Sequence, residues 1–110
     1  MGYRLHHTII ISGFDSEEIE ESHSLAINVF GELVSPIIDT KMNSVKSFFI
    51  SPDGSKEGLE TSDEFDLKRL DYIKFLKTEL SMTEFVEVAF GAEDGKKSVV
   101  IEDSNWLNRV

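Results

Sequence analysis

From residue 3 to residue 12 the chain alternates with a period of two, which makes its first element a strand. Tyr3, Leu5, His7, Ile9 and Ile11 take one face; Arg4, His6, Thr8, Ile10 and Ser12 take the other. Gly13, Phe14 and Asp15 turn the chain. Beyond them the apolar spacing changes to helical. Ile19, Ala26, Val29, Phe30 and Leu33 form a stripe, with Ser22 and His23 in its middle. Asp15 stands in N-cap position with Glu18 three residues on, the spacing of a capping box. Glu17, Glu18, Glu20 and Glu21 crowd the first turns, where the helix dipole favours negative charge. Gly31 falls near the end of this helix.

The same change of period then repeats. Residues 34–40 read as a short strand. Pro36 has no N–H to donate, which confines that strand to a sheet edge or a bulge. Residues 41–44 read as a hairpin loop, and residues 45–51, with Phe48, Phe49 and Ile50, as a third strand. A polar stretch, 52–63, leads to a second helix capped by Ser62 or Asp63. Leu67, Leu70, Ile73, Leu76 and Leu80 recur at three- and four-residue spacing and predict its buried face. Residues 83–90 and 98–102 read as two more strands, and Trp106 lies in a short tail.

The order βαββαββ predicts an α+β fold. The expected form is a ferredoxin-like βαββαβ sandwich with an added C-terminal antiparallel strand and both helices on one sheet face. Residues 1–110 fit a single domain. The other sheet face is then uncovered. Phe48 and Phe49 point to opposite faces, as do Phe85 and Val86, so large apolar groups fall on the open side. That predicts self-association into a homo-oligomer, unless the tail around Trp106 folds back over the face.

Composition narrows the function. With no cysteine, the chain has no disulfide, thiolate metal site or cysteine nucleophile, which fits an intracellular protein. The net charge of −10 disfavours direct binding to a nucleic-acid backbone. It serves solubility, attracts basic partners, or imitates the phosphates of DNA. Glu17, Glu20 and Glu21 would be the negative stripe of such a mimic, but Lys68, Arg69, Lys74 and Lys77 oppose it on the second helix. No apolar run approaches the roughly 20 residues that cross a bilayer, and the first eleven residues do not read as a signal peptide. No membrane partner is expected, and the expected location is cytoplasmic.

The best candidate site is the loop Ser51-Pro52-Asp53-Gly54-Ser55-Lys56-Glu57-Gly58. Its two glycines let backbone approach a ligand closely. Backbone N–H groups, two serine hydroxyls and the Lys56 ammonium suit an anion such as phosphate, and the loop feeds a helix N-terminus. Arg69 on that helix adds a guanidinium fork. The candidate ligand-binding residues are thus Ser51, Asp53, Gly54, Ser55, Lys56, Arg69 and His7. Glu57, Glu60, Asp63 and Glu64 surround the loop with negative charge, and the alternative is a long polar turn. His6 and His7 are adjacent, so a strand sends them to opposite faces. His7 reads as a packed, hydrogen-bonded histidine, or as one that meets His23 from the first helix at a metal; no spacing motif supports the metal. The chain has no nucleophile elbow, Walker sequence, metal signature or dinucleotide fingerprint. No cofactor or catalytic residue is therefore expected, although Ser55 with His7 and an Asp leaves a triad open, because triads are defined by geometry.

Three segments resemble a group of small proteins encoded by tailed bacteriophages. They are Tyr3-Arg4-Leu5-His6-His7-Thr8-Ile9, the stretch from Ser47 through Gly58 with Ser62-Asp63 following, and Val86-Glu87-Val88 with Phe90-Gly91. The Pro-Asp-Gly-Ser-Lys-Glu-Gly piece is the most specific. Leu59 stands where such proteins would be expected to carry tryptophan, which puts a stacking role there in doubt. The resemblance implies a phage or prophage context and a host-cell cytoplasm. Small phage proteins of this kind often counter host defences. Some sequester nucleotide signals, and others mimic DNA or block an enzyme. The expected function is a non-enzymatic accessory binding protein for a nucleotide-derived signal. The alternatives are an acidic inhibitor of a host protein and a small enzyme of unknown reaction.

Overall fold

Alternation in the first strand becomes the centre of a sheet in the computed structural model, which describes residues 5–54, 60–91 and 98–104. The elements are β1 (Leu5–Gly13), α1 (Ser16–Phe30), a 3₁₀ turn (Gly31–Leu33), β2 (Ile38–Asp39), β3 (Lys46–Ile50), α2 (Glu60–Glu79), β4 (Thr83–Gly91) and β5 (Val99–Asp103). The five strands form one sheet in the order β2-β3-β1-β4-β5. Every neighbouring pair is antiparallel. The fold is therefore α+β. Tyr3 and Arg4 of the predicted strand, and Trp106, lie outside the described residues.

Asp15 caps α1, its carboxylate accepting from the Glu18 backbone N–H at 3.1 Å. Glu18 does not close the predicted capping box. Its carboxylate instead accepts from Met82 N–H at 3.0 Å and from the Thr83 hydroxyl at 2.8 Å. One side chain thus ties the start of α1 to the start of β4. Gly31 ends the helix at φ 62°, a left-handed conformation that glycine adopts without a Cβ penalty.

The predicted seven-residue second strand is largely absent. Only Ile38–Asp39 pairs as a strand, and Val34 makes a single bridge to Ile50. Pro36 lies between them with no N–H to give. The Ser35 hydroxyl accepts from Phe49 N–H at 2.9 Å, in place of a ladder carbonyl. As expected from the proline, this segment lies at a sheet edge.

The second helix differs from expectation at its start and on its face. It begins at Glu60, so Ser62 and Asp63 lie inside its first turns. The acidic residues there suit the positive end of the helix dipole. Leu67 and Leu70, predicted to be buried, are each 64% exposed. The buried residues are Arg69, Tyr72, Ile73, Leu76 and Leu80. A step of three residues falls about 60° short of a full turn, so position 67 lies about 180° from position 76. Positions 69, 72, 73, 76 and 80 stay within an arc of about 100°.

The core forms where both helices meet one sheet face. Ile9, Ile11, Phe48, Ile50 and Phe85 from the sheet pack with Ile19, Ala26 and Phe30 of α1, with Tyr72, Ile73 and Leu76 of α2, and with Leu80 just beyond it. Tyr72 is buried, and its hydroxyl donates to the Ser22 carbonyl at 2.9 Å. The opposite face carries Ile10 and Phe49, which remain 43% and 44% exposed.

Candidate functional site

Period-two geometry sends His7 of β1 and Glu87 of β4 to the helix-covered face. His7 pairs with Ala89, and Ile9 pairs with Glu87. Burying a carboxylate costs several kcal/mol unless it is paired. Glu87 is only 7% exposed, and two partners meet its Oε2 atom. His7 Nδ1 lies 3.2 Å away, and Arg69 Nε of α2 lies 3.6 Å away. Arg69 is itself buried and also donates from Nη2 to the Asp66 carboxylate one turn back. Among the described residues, no buried side-chain polar atom lacks a hydrogen-bond partner.

This cluster ties together two of the residues chosen from sequence, His7 and Arg69, through a third that was not chosen. Glu87 had a sequence signal. It occupies the inward phase shared by Phe85 and Ala89, so it is a charge at a core position. Asp66 had a weaker one, as the residue three before Arg69 on a helix.

The loop leaves the sheet nearby. β3 ends at Ile50, opposite Ile9, and the Thr8 hydroxyl donates to the Ile50 carbonyl at 2.7 Å. Ser51 N–H donates to the Leu33 carbonyl at 2.8 Å, and the Ser51 hydroxyl donates to the Pro52 carbonyl at 3.1 Å. Gly54 has φ 80°, as the Asp53-Gly54 turn signal requires. Ser51, Asp53 and Gly54 therefore begin a segment that departs at the His7 end of the sheet. Ser55 and Lys56, with the rest of 55–59, lie outside the described residues.

The electrostatics limit the chemistry. Arg69 already faces two carboxylates, so an incoming phosphate must compete with Glu87 and Asp66 for its guanidinium. The charge of Lys56 would have to supply the remainder.

The other histidines have separate surroundings. His6 lies on the opposite sheet face, 5.2 Å from the Phe90 ring. His23 packs edge-on against Phe48 at 4.9 Å, with Nε2 donating to the Ser35 carbonyl at 2.8 Å. His7 and His23 thus have different partners. Among the described residues, no group of three or more His, Asp or Glu is arranged to hold a metal ion. No helix there is long and apolar enough to cross a membrane. Glu17, Glu20 and Glu21 lie exposed along α1. Comparison with family models, curated proteins and solved structures finds no match to the chain.

Proposed function

We propose that this chain is a non-enzymatic binding protein that holds a small anionic ligand at the sheet end bounded by residues 51–58, His7 and the first turns of α2. The observation that carries the reading is the convergence of His7 and Arg69 on Glu87, at the end where β3 gives way to the loop. Lys56 supplies positive charge, and Ser51, Ser55, Asp53 and the Gly54 backbone supply hydrogen-bonding groups. The strand order supports a ferredoxin-like βαββαβ sandwich extended by β5. Resemblance of the loop to small phage proteins favours a nucleotide-derived host signal as the ligand and an accessory, anti-defence role. Calorimetric titration with linear and cyclic nucleotides tests this. Binding to the intact protein that Lys56→Ala weakens at least tenfold is expected. Undiminished binding by the variant would sink the site assignment, and conversion of the nucleotide would make the protein an enzyme.

The exposed acids of α1 favour one second reading, an acidic inhibitor that blocks a basic host protein. Its discriminator is a complex with a host protein that survives gel filtration and is lost when Glu17, Glu20 and Glu21 become Gln.

A further inference from the structure

The hairpin tip between β2 and β3 closes on a backbone that its residues do not favour. Val45 N–H donates to the Met42 carbonyl at 3.0 Å, and Asn43 and Ser44 between them have φ 55° and 61°. Two positive φ values inside a hydrogen-bonded turn make it type I′, whose second central position is ordinarily glycine. Here that position is serine. Lys41 is also left-handed, at φ 61°. A Cβ makes this conformation unfavourable. β2 pairs with β3 only at Ile38–Ser47 and Asp39–Lys46, so little beyond the tip's own hydrogen bonds restrains it. Asn43 and Ser44 are both exposed. Among the described residues, neither the Asn43 carboxamide nor the Ser44 backbone N–H has a hydrogen-bond partner.

We propose that Asn43 is a modification site, where the chain deamidates spontaneously through a cyclic imide. The Ser44 backbone nitrogen attacks the Asn43 Cγ carbon and gives up its proton. The new N–Cγ bond closes a succinimide ring. The bond from Cγ to the side-chain nitrogen breaks, and that nitrogen leaves with the proton as ammonia. Water then opens the ring at either carbonyl, leaving aspartate or isoaspartate at position 43. Water is the one co-reactant. Sequence and structure both select this asparagine over Asn28, Asn105 and Asn108. Those three precede Val29, Trp106 and Arg109, whose side chains crowd the attacking nitrogen, whereas Asn43 precedes a small serine. Asn28 also lies within α1, where the helix ladder holds the next N–H. At position 43 the attacking nitrogen is free, and the turn that must open is a strained one. Isoaspartate adds a methylene to the main chain, and a turn with two central residues no longer closes around it. The Val45 bond to the Met42 carbonyl is then lost, and with it the Thr40 N–H bond to the Val45 carbonyl, now 3.1 Å. Modification thus frees β2 from the sheet edge. The inference stands independently of the ligand site.

Ageing the natural chain at mildly alkaline pH tests it, with far-UV circular dichroism confirming the fold throughout. Peptide mapping by mass spectrometry and an isoaspartate-specific methyltransferase are the probes. The amide-to-acid mass increment should appear at position 43 at least tenfold faster than at Asn28, Asn105 or Asn108, with isoaspartate among the products. It should appear faster as pH rises, because base removes the proton from the attacking nitrogen. Asn43→Gln, which has to close a larger ring, should slow the change at this position at least tenfold. Amide hydrogen exchange at Thr40 should be at least tenfold faster in the isoaspartate form. A position 43 that changes no faster than the other three would overturn the proposal. So would aspartate without isoaspartate, a rate indifferent to pH, or an Asn43→Gln chain that changes as fast as the natural one. Undiminished protection of Thr40 in the isoaspartate form would overturn the release of β2.

Discussion

Arg69 and Glu87 show how one buried pair constrains a small domain. Each is costly to bury, and each is offset by the other together with a second partner, His7 for Glu87 and Asp66 for Arg69. Replacing Arg69 with Met leaves Glu87 buried with His7 alone and should cost about 1–3 kcal/mol in urea unfolding. Replacing both Arg69 and Glu87 with Met should recover most of that loss. A cost below about 1 kcal/mol for the single change would show that the pair holds little. Tyr72 makes a second residue-scale prediction. Burial pushes its phenol well above the ordinary value near 10. The unfolded chain therefore loses the Tyr72 proton first as pH rises. The Tyr72 contribution to stability is full below pH about 10 and falls above it. Tyr72→Phe should cost about 1 kcal/mol at neutral pH by removing the bond to the Ser22 carbonyl. It should also flatten the alkaline loss in thermal melts recorded from pH 8 to 11.

Elements differ in how far the sequence announces them. β1 was legible because strict alternation leaves one solution, and Ile9 and Ile11 are indeed buried while Ile10 is not. The Asp15 cap and Gly31 stop were legible for local reasons, since each acts within one turn of its own helix. The face of α2 was legible only in part, since Ile73, Leu76 and Leu80 are buried while Leu67 and Leu70 are not. From Leu67 to Leu76 the predicted series advances in steps of three, which drift around the helix, whereas the true face includes an arginine that a search for apolar residues passes over. Point changes separate the two faces. Leu76→Ala should cost about 2–5 kcal/mol, while Leu67→Ala should stay within about 0.5 kcal/mol. Equal costs would mean that α2 is rotated from the orientation described. Glu18 was legible as a helix-start residue but not as the acceptor for β4, because its partners lie more than sixty residues away.

At the scale of the molecule, the sheet divides the chain's properties between two faces. The covered face holds the core and the His7–Glu87–Arg69 cluster, and the opposite face carries exposed apolar residues, among them Ile10 and Phe49. The order of elements predicted the antiparallel sheet that the structure shows. Periodicity names which residues share a face but not what packs over them, so it did not bring Arg69 over Glu87. The same limit applies to the loop, whose glycines and lysine were chosen by residue type alone. The proposal that this end of the sheet binds an anion is tested most directly by native mass spectrometry. The purified protein would be weighed before and after mixing with linear and cyclic nucleotides. The account predicts an intact nucleotide bound at a fixed number per chain, and its loss with Lys56→Ala. Spectra in which no nucleotide adds to the natural chain would contradict it.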